Sequence, residues 1–96
     1  FTSKPGEVRG EHYHHTKNEK FLVISGKAIF KFRNIISDVE YSISTTSEKL
    51  QIVETIPGWA HNIQNIGTSE MLVILWANEV YDDDKSDTYS YSINPK

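Results

Sequence analysis

The strongest constraint on the fold is a succession of short runs rich in Val, Ile, Phe and Tyr, separated by frequent turn residues. Several of the runs alternate between apolar and polar residues, as in FLVISG, KAIFKFRNI, YSIS, LQIVETI, MLVILWAN and TYSYSI. Turn signals lie between them at Pro5-Gly6, Ser25-Gly26, Pro57-Gly58 and Gly67. No stretch has a helical period longer than about two turns. About eight strands at this spacing predict an all-β fold, either a closed barrel or two packed sheets.

The size and charge of the chain exclude several classes of function. A chain of 96 residues is the size of one domain with a single modest core. Its formal net charge is −3 and it has no basic stripe, so nucleic acid is not an expected partner. It contains no cysteine, so any metal must be held by nitrogen and oxygen ligands. The run MLVILWA is too short to cross a bilayer, and no signal peptide is visible, so we expect a cytoplasmic protein without membrane insertion.

Three of the four histidines lie close together in the segment GEHYHHTKNEKF, residues 10–21. If residues 8–14 form a strand, His12 and His14 point to one face of the sheet, whereas Tyr13 and His15 point to the other. A turn at residues 16–18 would then place Glu19 at the start of the next strand, opposite the end of the first. Cross-strand neighbours lie about 5 Å apart, so an imidazole and a carboxylate could reach one ion.

The fourth histidine, His61, follows the turn at Pro57-Gly58 and opens a further strand. Three imidazoles and one carboxylate suit zinc, iron, manganese, nickel or copper. The predicted metal ligands are therefore His12, His14, Glu19 and His61. The alternative is a metal-free polar cavity. His15 could be a surface residue, or a cavity residue if its strand bulges.

These spacings resemble the two sequence motifs of the cupin superfamily. The first motif is Gly, five residues, His-x-His, three or four residues, Glu, six residues and Gly, and it is complete here as Gly6, His12, His14, Glu19 and Gly26. The second matches at Pro57, Gly58, His61 and Asn65, but the proline and glycine are adjacent and no glycine lies five residues before the proline. The resemblance implies a cupin jelly-roll barrel of short antiparallel strands, usually dimeric, with the same four metal ligands.

A narrower resemblance covers VRGEHYHHTKNEKFLVISGKAIFKFRNI and WANEVYDDDKSDTY, which are similar to the C-terminal cupin of the CapF family of capsular polysaccharide-synthesis enzymes. Those proteins combine an NADPH-dependent reductase domain with a zinc-containing cupin. The resemblance implies that residues 1–96 are a single cupin domain of a longer protein, and the start at Phe1 instead of Met fits that expectation. No dinucleotide glycine fingerprint occurs in the chain, so NADPH would bind only in the reductase domain.

The activity implied by this family is zinc-dependent epimerisation, with one zinc per chain. Its substrate would be UDP-2-acetamido-2,6-dideoxy-4-hexulose, inverted at C3 on the way to UDP-N-acetyl-L-fucosamine. Removal of the C3 proton, which the C4 ketone acidifies, gives an enolate, and a proton returned to the other face inverts the centre. A Lewis-acid metal near the ketone oxygen would stabilise the enolate.

A looser resemblance suggests the substrate-binding residue. VRGEHY is similar to the RG-x-H box of metal-free deoxyhexulose-nucleotide 3,5-epimerases, in which the arginine contacts the diphosphate and the histidine is the base. Arg9 is therefore the predicted diphosphate ligand. His12 would be the base, but a metal-bound histidine nitrogen cannot also accept a proton, and the complete ligand set favours the metal. A separate acid–base group is then required, and the candidates are Tyr13, His15, Lys17, Lys20 and Tyr41.

Two other functions fit the same residues. Three histidines and one glutamate also suit iron, which gives a metal-dependent cupin oxygenase as one alternative. The other is a non-catalytic module that binds a sugar nucleotide or holds a dimer together around a structural metal. An exposed FLVIS or MLVIL edge or face is a liability for a monomer, and together with the family resemblance it predicts a homodimer.

Overall fold

The computed structural model describes residues 1–13, 18–77 and 89–91. Nine strands are assigned in them: β1 (Thr2–Ser3), β2 (Val8–Tyr13), β3 (Glu19–Ser25), β4 (Lys27–Asn34), β5 (Glu40–Thr46), β6 (Ile52–Thr55), β7 (Trp59–Asn65), β8 (Met71–Ala77) and β9 (Tyr89–Ser90). These residues contain no helix, as the strand-like sequence pattern predicts. A membrane-spanning helix is accordingly not found in the described part of the chain.

The strands form two antiparallel sheets. The four-stranded sheet has the order β1-β8-β3-β6, and the five-stranded sheet has the order β5-β4-β7-β2-β9. Neighbours in each sheet are mostly distant in sequence, and each of their pairings is antiparallel. The predicted all-β cupin jelly roll is thus confirmed. The strand predicted over residues 8–14 is assigned as Val8–Tyr13, and the two-residue strand β1 was not predicted.

The core lies between the two sheets and is built by alternation along the strands. On β4, Ala28, Phe30 and Phe32 are buried, while the intervening residues are more accessible. On β3, Phe21 and Val23 are buried against them from the other sheet. Glu19 lies two residues before Phe21 on the same face of β3 and is also buried. Alternation therefore places a carboxylate inside the barrel at the start of β3.

Asn65, the asparagine of the second motif, is the last residue of β7, and its hydrogen bonds join separate parts of the chain. Its buried side-chain Nδ2 donates hydrogen bonds of 2.9 Å to the carbonyls of Ser3 and Ser69, and its Oδ1 accepts one of 2.9 Å from the Gly67 nitrogen. Its own carbonyl accepts a 2.9 Å bond from the nitrogen of Gly6, the first glycine of the first motif. Asn65 thus stabilises the fold and lies outside the pocket described below.

Candidate functional site

Three of the four predicted metal ligands converge inside one end of the barrel. His12 on β2 and His61 on β7 are directly paired across the five-stranded sheet, and Glu19 faces them from β3 of the other sheet. The prediction that Glu19 lies opposite the end of β2 as a cross-strand neighbour is therefore wrong, because the two sheets pack face to face and bring β2 and β3 together without pairing them. The Glu19 Oε1 lies 3.5 Å from the His61 Nε2 and 3.8 Å from the His12 Nε2. One ligand atom from each of the three residues lies within 4.8 Å of the others. His14 is outside the described residues.

The donor set and its spacing fit a transition-metal ion. Zinc binds histidine nitrogen and carboxylate oxygen at about 2.0–2.2 Å, and two such donors on one tetrahedral ion are therefore about 3.4 Å apart. The separations of 3.5 and 3.8 Å from the Glu19 oxygen are close to this value. Glu19 and His61 are buried, so their ligand atoms are shielded from solvent.

A β-bulge in β2 directs His12 into the pocket. Arg9 is paired with Ile63 and Gly10 with Asn62, but the next paired residue on β2 is His12, opposite His61. Glu11 is the additional residue, and its φ of 63° lies in the left-handed region. Without the bulge, regular alternation would point residue 11 inward with Arg9. Because of it, Arg9 and His12 share the inner face although they are three residues apart.

The three ligand candidates form part of a pocket in which the described residues provide a polar end, an apolar wall and a permanent cation. The apolar wall consists of Phe21, Ile63 and Leu75. Arg9 contributes the cation, and its side chain is exposed to solvent. The described residues that line the pocket are Phe1, Arg9, Gly10, His12, Glu19, Phe21, His61, Ile63 and Leu75. The structure thus places Arg9, the predicted diphosphate ligand, in the same pocket as the metal-ligand candidates.

The described acid–base candidates do not line this pocket. Lys20 lies on the outer face of β3, where its Nζ is 3.6 Å from the Glu54 carboxylate. Tyr13 follows His12, so it points to the opposite face of β2, and its ring stacks on that of Tyr89 at 5.3 Å. The sequence-based prediction that Tyr13 points to the face of β2 opposite to His12 agrees with this position.

Tyr41 lies on the inner side of the five-stranded sheet but outside the pocket. Its ring stacks on Phe32 at 4.7 Å and meets Trp59 edge-on at 5.3 Å. Desolvation by this packing raises the pKa of Tyr41 above its ordinary value of 10.0. The other two candidates, His15 and Lys17, lie outside the described residues.

Sequence reasoning missed five of the described pocket residues, namely Phe1, Gly10 and the apolar-wall residues Phe21, Ile63 and Leu75. Phe1 precedes the first motif, and no sequence signal marks it. Gly10 does carry a signal, because an isolated glycine within a strand pattern indicates a bulge or a close backbone approach. That signal would have predicted the change of alternation between Arg9 and His12.

Comparison with known proteins places the chain among polysaccharide-synthesis proteins. Residues 1–89 match the family model of the polysaccharide biosynthesis C-terminal domain. A UDP-2-acetamido-2,6-beta-L-arabino-hexul-4-ose reductase of Pseudomonas aeruginosa is 59% identical over 93 residues, which are 97% of this chain and 25% of that protein. The capsular polysaccharide assembling protein CapF of Staphylococcus aureus superposes with a TM-score of 0.94 at 43% identity, over 97% of this chain and 27% of CapF.

A more distant structure shares the fold alone. NovW, a 4-keto-6-deoxy sugar epimerase from Streptomyces spheroides, has a TM-score of 0.76 at 15% identity, over 88% of this chain and 46% of NovW. The chain thus spans about a quarter of the Pseudomonas relative and of CapF, at 25% and 27% of their lengths. With a family model that matches nearly its whole length, the chain belongs to the polysaccharide biosynthesis C-terminal domain family.

Proposed function

We propose that these residues form a zinc-dependent epimerase domain that inverts C3 of UDP-2-acetamido-2,6-dideoxy-4-hexulose in capsular polysaccharide synthesis. The observation that carries the proposal is the convergence of His12, Glu19 and His61 within 4.8 Å in a pocket whose side also holds Arg9. A metal and a fixed cation together suit a substrate that combines a ketone with a diphosphate.

The names of the two close relatives support the substrate class. The Pseudomonas relative is named a UDP-2-acetamido-2,6-beta-L-arabino-hexul-4-ose reductase, and CapF is named a capsular polysaccharide assembling protein. A reductase needs a hydride donor, and the present chain has no Gly-x-Gly-x-x-Gly fingerprint for a dinucleotide. We therefore assign NADPH binding and the reduction to the rest of a longer protein, and the C3 inversion to the domain described here.

The residues of the pocket have distinct parts in this reaction. Arg9 binds the diphosphate through its guanidinium N–H groups. The apolar side chains of Phe21, Ile63 and Leu75 exclude water from the reacting sugar. When bound by His12, Glu19 and His61, with His14 as the fourth predicted ligand, zinc supplies Lewis-acid polarisation of the ketone.

Inversion at C3 also needs a base that removes the proton and an acid that returns one to the opposite face. The net composition of the substrate does not change. His15 and Lys17 remain candidates for this group, because Tyr13, Lys20 and Tyr41 do not line the pocket. Each of them would need to reach the C3 proton within hydrogen-bond distance or through one water.

Because none of the described acid–base candidates lines the pocket, a second function is also supported, namely a sugar-nucleotide-binding module with a structural metal. Proton exchange separates the two, because a binder leaves the C3 proton in place. The full-length protein is incubated with the UDP-4-hexulose in deuterated water without NADPH, and deuterium at C3 is followed by NMR. We expect the wild type to incorporate deuterium at C3 and Glu19→Gln not to do so. This substitution is nearly isosteric but removes an anionic ligand.

The matched control is Lys20→Gln, one residue further along β3 on the outer face. It should exchange the C3 proton at the wild-type rate. Elemental analysis of the same samples identifies the metal, and consumption of oxygen with iron bound would favour the oxygenase alternative. Exchange by Glu19→Gln at the wild-type rate would show that the three-residue site is not needed for the reaction.

A further inference from the structure

We propose that Phe1 is a positioning residue that holds the guanidinium of Arg9 at the side of the pocket before the nucleotide sugar binds. This inference rests on the proposed function in one respect, namely that Arg9 binds the diphosphate. It assigns a role to a residue outside both sequence motifs. Affinity for the diphosphate should then depend on Phe1, but only through Arg9.

Two contacts from the start of the chain locate the Arg9 side chain. The Arg9 Cζ lies 4.3 Å from the centroid of the Phe1 ring, within the range of a cation–π interaction. The Arg9 Nη1 also donates to the carbonyl of Thr2 at 3.4 Å. Both partners belong to one short stretch of backbone, so the position of Arg9 follows the position of that stretch.

That stretch is itself fixed to the four-stranded sheet. The Phe1 nitrogen donates to the Val73 carbonyl at 2.8 Å, and the Val73 nitrogen donates to the Phe1 carbonyl at 2.8 Å. The Phe1 side chain is partly buried and packs against the hydrophobic core. The ring is therefore a rigid surface joined to β8, although β1 has only two residues.

A rigid aromatic face suits the task of holding an exposed arginine. A free arginine side chain loses considerable rotamer entropy when a ligand orders it, and this loss weakens binding. Stacking on a ring removes part of that freedom in advance. It also uses the face of the guanidinium and leaves N–H groups at its edge for phosphate oxygens.

A double-mutant cycle on the full-length protein tests this, with UDP as the probe and calorimetry as the measurement. The variants are Phe1→Leu, Arg9→Ala and the double variant, with Phe1→Tyr to restore the aromatic face. We expect Phe1→Leu to weaken UDP binding by about 3- to 10-fold and Phe1→Tyr to stay near the wild type. In the Arg9→Ala background, Phe1→Leu should have no further effect. For the nucleotide sugar, Phe1→Leu should raise KM and leave kcat nearly unchanged.

Three results would overturn the proposal. An equal effect of Phe1→Leu with and without Arg9 would mean that Phe1 contacts the nucleotide directly. Unchanged UDP affinity in Arg9→Ala would remove the diphosphate role of Arg9, while C3 exchange would still test the proposed epimerase by itself. If Phe1→Leu fails to fold, Arg9→Lys leaves β1 intact and removes the planar stacking group; wild-type affinity in that variant would also contradict the proposal.

Discussion

Gly10 lies directly against the backbone of His61, a candidate metal ligand. A Cβ on residue 10 would be 2.8 Å from the His61 carbonyl oxygen and 3.1 Å from the Asn62 Cα. The φ of Gly10 is +100°, which other residues rarely adopt. The close approach occurs at the bulge that turns His12 inward. The backbones of β2 and β7, which carry His12 and His61, can thus lie this close together because residue 10 has no side chain.

The first prediction is that Gly10→Ala disrupts the metal site more than it unfolds the protein. The added methyl group must push β2 away from β7, because its nearest neighbour is a backbone oxygen. We expect a loss of stability of about 1–3 kcal/mol and a clear fall in bound zinc per chain. Elemental analysis of the folded protein measures the second effect.

Gly6→Ala is the matched control for this prediction. Gly6 also has a positive φ, +83°, but a Cβ there would meet nothing within 4 Å. Gly6→Ala therefore has the unfavourable backbone conformation but no steric clash with a neighbour. The zinc content of this variant should equal that of the wild type. Equal zinc content in both variants would mean that the Gly10 contact has no part in forming the site.

The fold was predictable from sequence because its main signals are local. Alternating and apolar runs predicted β3 and β4 as strands, turn residues separated them, and apolar positions such as Phe21 and Phe30 are buried in the structure. The convergence of the ligand candidates was predictable only in part. His61 follows the turn at Pro57-Gly58, and the family resemblance implied the ligand set, but the strand-pairing argument expected Glu19 beside β2 in one sheet, whereas β2 and β3 lie in different sheets.

Local patterns did not reveal features that depend on contacts distant in sequence. The role of Gly10 depends on the His61 carbonyl, about fifty residues away, and the bulge at Glu11 changes alternation within one strand. Phe1 reaches the pocket only because β1 pairs with β8 at the far end of the sequence. A two-residue strand has no period from which it could be recognised.

The second prediction concerns the dependence of stability on alkaline pH. Desolvation raises the pKa of Tyr41 above the 10.0 expected for the unfolded chain. Above about pH 10 the unfolded state therefore loses this proton first, and stability decreases as pH rises through the pKa of the folded state. Below that range Tyr41 is neutral in both states and its contribution is constant. Tyr41→Phe should lessen the alkaline loss of stability, measured by chemical denaturation between pH 9 and about pH 11.

The same Tyr41→Phe protein should keep C3 exchange, since Tyr41 does not line the pocket. A parallel pH profile for Tyr41→Phe and the wild type would contradict the desolvation argument.

The third prediction is a homodimer formed through the outer face of the four-stranded sheet. Ile52, Leu22 and Ile74 are paired across β6, β3 and β8 and share that face, and Ile52 and Ile74 are 59% and 46% exposed. Trp76 on the same face is also exposed. We expect light scattering to show a dimer of the full-length protein at micromolar concentration, and Ile74→Glu to shift it to monomer because it would bury a charge in the interface.

Ile36→Glu provides the control, because Ile36 is 91% exposed in the connection between β4 and β5. The same change of charge there should leave the dimer intact. A monomeric wild type would show the dimer prediction to be wrong. If Ile74→Glu remains dimeric but is less stable than Ile36→Glu, the face is covered by another part of the longer chain.

The last prediction is that bound zinc contributes to stability through His12, Glu19 and His61. A metal that binds only the folded state stabilises it by about 2.7 kcal/mol when its free concentration is 100 times its Kd. Removing zinc from the wild type with a chelator should therefore lower the melting temperature. Because His61 is only 2% exposed, His61→Ala also creates a cavity, so its melting temperature alone does not isolate the metal.

The informative quantity is the response of each protein to the chelator. The melting temperature of the wild type and of Lys20→Ala should fall on chelation, because the outer-face Lys20 leaves the ligands intact. His12→Ala and His61→Ala should start lower and show little further change, since they have lost the metal already. Elemental analysis should give about one zinc per chain for the first pair and much less for the second. Full zinc content in both histidine variants would contradict the site, whatever their melting temperatures.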